Sequence, residues 1–324
     1  MIYVKRKEAV QMKIWKKSSL FFVGFLMVLG LFVLGQFGNR LVAYGATEWV
    51  APGSNLEDNE ETVMGKVGQG SIIDRVSRID NLLVGVDQTG AVTIRIQKQT
   101  ERLRGGSEEN LSIIGRLNGA EWSLDRKISN EPLIYRITDL ESRVTGKLSN
   151  YSLETRSKEI AKNVVDTSVV AKVTIPTETL IWVEFIDPVS SESAQVGSIA
   201  RFKVAEDVWV NNYLVFPKGA LGKVRVEEIV KAKKFARNGK LVLSIEYLES
   251  IDGSRVQVIQ GDKSIEATAS YGAGVSDKAR KNLILGSLGA VKNAFFSNSN
   301  AVIKTGDQFY LQTEGEHEVI SIQL

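Results

Sequence analysis

The chain has 324 residues, 43% of them apolar, and no cysteine, which gives it length for about two domains and excludes disulfides, thiolate chemistry, a lipidated N-terminal cysteine and most zinc sites. Its formal charge of +3 is uneven: residues 1–45 carry seven Lys and Arg against Glu8 alone, a local +6 that leaves −3 for the rest. A weakly acidic main body excludes nucleic acid as a partner, because phosphate binding needs a clustered basic surface.

Lys5, Arg6, Lys7, Lys13, Lys16 and Lys17 precede an uncharged apolar run from Leu20 to Leu34. A basic stretch followed by such a run reads as an export signal. The run has 15 residues, short of the roughly 20 that a membrane span needs. Ala43-Tyr44-Gly45 offers small residues for cleavage, so 1–45 is read as a signal peptide, with an uncleaved membrane anchor as the alternative, and 46–53 as a linker. In both cases the bulk of the chain is expected outside the cytoplasm, in the periplasm or outer envelope.

From residue 54 to 148 the chain repeats. Arg75, Arg95, Arg116 and Arg136 stand 20, 21 and 20 residues apart. Apolar residues recur three before each arginine (Ile72, Val92, Ile113, Leu133), one after (Val76, Ile96, Leu117, Ile137) and eight after (Leu83, Leu103, Leu124, Val144). With the position four after (Ile79, Gln99, Ala120, Leu140) these steps trace one stripe of an α-helix. The pattern predicts four helices of about 14 residues, closed at Gly85, Gly105 and Gly146 where a left-handed backbone is wanted. A narrow stripe cannot be buried alone, so the helices must pack on each other or on another chain. Asp80, Glu121 and Glu141 follow their arginines by five residues and are expected on solvated faces with local ion pairs. Leu56, Val63 and Gly65 form a degenerate earlier copy that caps the array. The pattern resembles repeat units found in exported proteins of cyanobacteria and of Firmicutes that have an outer membrane; that resemblance implies no chemistry.

Residues 149–173 are polar and read as a connector containing a helix from Leu153 to Val165. The character changes at Pro176, and 174–324 is predicted as a β domain. Ile181, Val183 and Phe185 share one face of a first run, Ala200, Phe202 and Val204 of a second with Arg201 and Lys203 opposite, and Leu241, Leu243, Ile245 and Tyr247 of a later one with Ser244 and Glu246 opposite. Period two with one apolar face marks half-buried antiparallel strands. Turns are expected at Val196-Gly197-Ser198, Asn211-Asn212, Pro217-Lys218-Gly219, Asn238-Gly239 and Asp252-Gly253, linking one meander-like sheet. Residues 277–296 break the pattern: Asp277 caps a helix with a basic first turn and an apolar body, which is read as packing on the sheet or plugging the barrel, with membrane-surface contact as the alternative. The chain then returns through Ala301 to Lys304 and adds Gln308 to Gln312 to the sheet.

The order Ile175-Pro176, Val189-Ser190-Ser191, Phe202 to Val208, Phe216-Pro217-Lys218-Gly219 and Asp252-Gly253 resembles a β module common in exported bacterial proteins. More distantly, residues 174–313 are similar to the C-terminal β barrel of the TrbI/VirB10 family of type IV secretion channels. The resemblance implies a barrel fold and admits assembly into a ring.

Candidate chemistry is sparse. His317 is the only histidine, flanked by Glu316 and Glu318 near the chain end, and is read as an exposed tail residue. No G-x-S-x-G turn accompanies it, and Gly272-Ala273-Gly274 lacks the spacing of a phosphate-cradling loop. Trp182 and Trp209 could stack on sugars but are read as core or rim packing. Glu227-Glu228 and Glu314 with Glu316 lie adjacent on exposed runs. The sequence therefore assigns no catalytic, cofactor-binding or metal-binding residue, no cofactor and no small-molecule substrate. It predicts an α+β fold, a short-helix repeat array followed by an antiparallel β barrel or sandwich with one inserted helix. The expected role is that of a non-enzymatic envelope structural or assembly protein, its repeats associating with envelope proteins or with further copies and its barrel docking. The alternatives are a subunit of a ring-forming secretion channel and, disfavoured, a cell-wall glycan enzyme.

Overall fold

The 20-residue period sets one helix and one loop per unit, and the computed structural model, which describes residues 52–165, 170–233, 239–270 and 300–323, shows six such units in sequence. They are α1 (Pro52–Met64), α2 (Ile72–Val84), α3 (Val92–Arg104), α4 (Ile113–Asp125), α5 (Leu133–Thr145) and α6 (Leu153–Val164). The expected export segment 1–45, most of the linker 46–53, the Gly272–Gly274 run and the helix expected at 277–296 lie outside the described residues.

Local signals start and stop these helices. Ser71, Ser112 and Ser152 each accept the backbone N–H three residues on, satisfying one of the first-turn donors that a helix leaves open. Gly85 and Gly146 end α2 and α5 at φ 87° and 73°. Gly105 does not follow the expectation: its φ is −86°. Arg126, with no glycine to help, ends α4 in the left-handed region at φ 55°, its guanidinium 4.2 Å over the Trp122 ring.

The apolar stripes pack on one another. Val76, Ile96, Leu117 and Ile137 are buried, as are Ile79, Ala120 and Leu140, in one core shared by all six helices. The degenerate first copy is a full member, with Leu56 and Val63 fully buried. The helix expected from Leu153 to Val165 is α6, which buries Leu153, Ser157 and Ile160 within the array, and residues 170–173 belong to the first strand.

The β domain comprises β1 (Val170–Ile175), β2 (Leu180–Phe185), β3 (Val189–Ser190), β4 (Ile199–Val204), β5 (Val208–Val210), β6 (Tyr213–Phe216), β7 (Leu221–Val230), β8 (Lys240–Glu249), β9 (Arg255–Val256), β10 (Val258–Ile259), β11 (Val302–Ile303), β12 (Gln308–Thr313) and β13 (His317–Ile322). Every pairing among them is antiparallel. The meander expectation is overturned, because the main sheet runs β10-β12-β2-β4-β7-β8-β9 while β1-β13-β6-β5 and β11-β3 form two others. Since β9 and β10 are halves of one run broken at Gln257, one pairing with β8 and the other with β12, the main sheet curls into a nearly closed barrel. The predicted apolar faces point inward with one exception. Ile181, Val183, Phe185, Phe202 and Val204 are fully buried with Phe309 and Leu311, and Leu241, Leu243 and Ile245 join them. Tyr247 instead packs under Arg255 and Lys223 outside that core, while Leu248, past a register shift between β7 and β8, takes the inward place. Asn211 and Asn212 both take positive φ, 50° and 67°, in the two-residue turn between β5 and β6. A helix the sequence reading missed, α7 (Asp262–Ser270), lies on β12, where Thr268 Oγ1 accepts Tyr310 N–H and Gln312 Oε1 accepts Ser264 N–H. The fold is α+β.

Candidate functional site

The charged residues at fixed repeat offsets are not on solvated faces. Glu60, Asp80, Glu121 and Glu141 are at most 6% exposed, and each is held by the arginine 15 residues ahead. Arg75 donates to Glu60 at 2.6 Å, Arg95 to Asp80 at 2.7 Å, Arg136 to Glu121 at 2.7 Å and Arg156 to Glu141 at 2.7 Å. The carboxylates of Glu60, Glu121 and Glu141 also accept the loop N–H eight residues on, from Gly68, Ser129 and Ser149. Arg95, Arg136 and Arg156 place their second nitrogen on Ser77, Asn118 and Thr138, each 18 residues back. One unit is thus an acid, a loop amide and an arginine that fastens the next helix. Burial opposes ionisation of Glu141, but Arg156 and Ser149 outweigh it and hold the carboxyl below its usual range.

One rung departs. Thr100 stands five after Arg95, where the other units have their acid. Glu101, 15 before Arg116, is exposed and accepts from Gln97 instead, and Arg116 donates to Asn110 Oδ1 at 2.6 Å and Ser157 Oγ at 3.2 Å. Desolvation without a paired carboxylate lowers the Arg116 pKa. Gln99 fills the apolar position four after Arg95 and is buried, its amide donating to Val76 O and Asp80.

Array and barrel meet in one compact unit spanning residues 51–324. The centre of the junction is the turn after β8. Ser112 Oγ donates to the Asp252 carbonyl at 2.7 Å, and Asn118 donates to the Ile251 carbonyl at 2.9 Å. Asp252, itself buried, accepts from Ser250 Oγ, Ser254 N–H, Ser254 Oγ and Ile320 N–H, so its carboxylate is satisfied by hydrogen bonds alone. The approach is close: a Cβ on Gly115 would stand 3.3 Å from Asp252 Cα, and one on Gly253, whose φ is 85°, would stand 2.8 Å from Ile114. From the other side Ile322 enters the helical core against Gly119.

Two further contacts flank this clasp. The loop after α4 buries Ile128 in the barrel core and donates its N–H to the Lys218 carbonyl at 2.9 Å, while Trp122 Nε1 donates to Asp207 and its ring meets Trp209 edge-on at 5.4 Å. On the far side Asp58 of α1 faces Arg104 at 3.5 Å, Lys223 at 3.6 Å and Arg255. Arg104 also reaches Glu249 at 2.7 Å and Thr62 at 2.9 Å. Burial alone would raise the Asp58 pKa; Arg104, Arg255 and Lys223 more than offset this and lower it. Clefts of about 690 and 680 Å³ open on either side of the loop 126–132.

The other residues weighed in the sequence fall apart in space. His317 is corrected from a tail residue to the first residue of β13, half-buried opposite Ile175. Trp182 is buried against Tyr310, and Trp209 is 40% exposed. Glu228 pairs with Lys240, and Glu227, Glu314 and Glu316 are exposed. Among the described residues no group of three or more His, Cys, Asp or Glu is placed to hold a metal ion, and no helix is long and apolar enough to cross a membrane.

No family model matches the chain, and no curated protein does. Among solved structures the chain is similar to ComB10 of the Com type IV secretion system of Helicobacter pylori, at 15% identity and a TM-score of 0.25, over 44% of this chain and 88% of that one. A likeness of that depth says nothing of what this chain does.

Proposed function

We propose that the chain is a non-enzymatic structural or assembly protein of the bacterial envelope, exported through its N-terminal segment, in which array and barrel act as one scaffold that associates with envelope proteins or further copies. The observation that supports this is where the buried charge goes. Glu60, Asp80, Glu121, Glu141 and Asp252, the carboxylates best shielded from water, are each engaged by arginines or backbone amides that fasten one element to the next. Catalytic acids and bases instead face a substrate. The apolar pair Ile72 and Ile73, 54% and 60% exposed, supplies surface for association.

Fractionation of cells, with mass photometry of the purified chain, tests the reading. Recovery in the envelope fraction as a monomer or small assembly is the expected result. A discrete ring would replace the reading with that of a channel subunit. Recovery in the cytoplasm, or turnover of purified cell-wall glycan, would overturn it.

A further inference from the structure

The cleft of about 690 Å³ between helices α4 and α5 and the outer face of the barrel falls within the size range of small-ligand sites. Six carboxylates and five cations line it, so its net charge is close to zero. Several are already matched: Arg143 forks onto Asp125 at 2.7 and 2.9 Å and onto Asp139 at 3.1 Å. On the barrel wall Glu184 accepts from Gln308 at 3.0 Å and pairs with Lys203 at 3.2 Å.

Such walls favour neither an anion nor a polycation. They do present a fixed array of donors and acceptors, because a paired carboxylate still has unused lone pairs and a paired guanidinium unused N–H groups. The Arg143 fork is half-exposed, where ion pairs contribute at most about 1 kcal/mol, so stability gives little reason for it. An aromatic ring completes the lining. Tyr135, 60% exposed on the first turn of α5, offers it on the helix side; Trp182 on the barrel side is buried against Tyr310 and backs the wall without presenting a face. A sugar combines hydroxyls that both donate and accept with an apolar C–H face that stacks on a ring. Its chemistry matches both components.

We propose that this cleft binds a neutral oligosaccharide, stacked on Tyr135 and hydrogen-bonded by the Arg143 fork and the Glu184–Gln308 pair. This goes beyond the assembly reading and does not depend on it.

Isothermal calorimetry of the full chain with chitotetraose, cellotetraose and maltotetraose, and with inorganic phosphate as the anion control, tests the proposal. Saturable binding of at least one tetrasaccharide is expected, weakened about tenfold by Tyr135→Ala, the size of one lost stacking contact. Tyr135→Phe keeps the ring and retains binding, which separates stacking from misfolding. Tyr151→Ala, at a tyrosine 71% exposed elsewhere on the array, leaves binding unchanged. Failure of all three sugars to bind, competition by phosphate, or binding unaffected by Tyr135→Ala would each overturn it.

Discussion

The hydroxyl of Ser112 accepts the Gly115 N–H at 2.9 Å and donates to the Asp252 carbonyl at 2.7 Å, so the cap of α4 is at the same time a bond to the barrel 140 residues away. Ser71 caps α2 in the same way, but in the open, accepting Asp74 N–H at 3.2 Å. Losing a cap costs about 0.5–2 kcal/mol, and stranding a buried hydrogen-bond partner costs about 1–3 more. Ser112→Ala is therefore expected to cost about 2–3 kcal/mol and Ser71→Ala about 1. Urea unfolding of the two variants side by side checks this; equal costs would mean that the clasp adds nothing.

The arginine ladder makes a second, opposed pair of expectations. Glu121→Ala leaves the Arg136 guanidinium buried without its carboxylate, and breaking such a pair costs about 3–5 kcal/mol. Arg116 has no carboxylate to strand, so Arg116→Leu is expected to cost about 1 kcal/mol or less, since an apolar replacement of a buried ion is often neutral. Thermal melts that rank the two variants the other way would refute the ladder as the main electrostatic support.

Acid should weaken the fold in a defined window. The folded-state pKa values of Glu141 and Asp58 lie below their ordinary values of 4.5 and 3.8. In that range the unfolded chain binds more protons than the folded one, so stability is fully present above the ordinary values and is lost as pH falls through the folded ones. Urea midpoints measured at pH 7 and downward should stay flat until about pH 5 and then drop. Arg156→Met removes the partner that depresses Glu141 and should reduce the drop. An unchanged pH profile in that variant would show that the pair is not linked to folding.

Much of the fold was legible because periodicity reports burial. Val76, Ile96, Leu117 and Ile137 share one repeat position and one fate, and Phe185, Phe202 and Val204 sit on inward faces read from alternation alone. The buried carboxylates were not legible, because hydropathy places a charge outside, and what buries Glu121 is a partner 15 residues on. That spacing, acid to next arginine, was available in the sequence and would also have extended the repeat to Arg156, although it equally marks Glu101 and Arg116, which do not pair. The strand order and the Ser112–Asp252 bond are long-range pairings that no local pattern encodes. The tripeptide Ser-Ile-Ile makes the limit plain: Ile113 and Ile114 are buried, Ile114 against the barrel turn at Gly253, while Ile72 and Ile73 of the identical stretch are exposed.

The difference between those two stretches lies in the next residue, Asp74 in one and Gly115 in the other. Asp74 draws the Ser71 hydroxyl to its own carboxylate at 2.7 Å, whereas Gly115 leaves room for Asp252, whose Cα would lie 3.3 Å and Cβ 3.8 Å from any Cβ placed there. Gly115→Asp should therefore turn the second edge into a copy of the first. The new carboxylate would crowd the turn, repel the buried Asp252 and compete for the Ser112 hydroxyl. The helix itself should survive, because an acid in the first turn is favourable with the helix dipole and glycine is a poorer helix former. The expected outcome is unchanged helix content by circular dichroism with faster amide exchange at Ser254 and Ile320, whose N–H groups donate to the Asp252 carboxylate at 2.9 and 2.8 Å. Gly115→Ala, which adds only the Cβ, should fall between. If exchange at both amides matched the parent chain in the aspartate variant, close approach at Gly115 would not be what holds the array to the barrel.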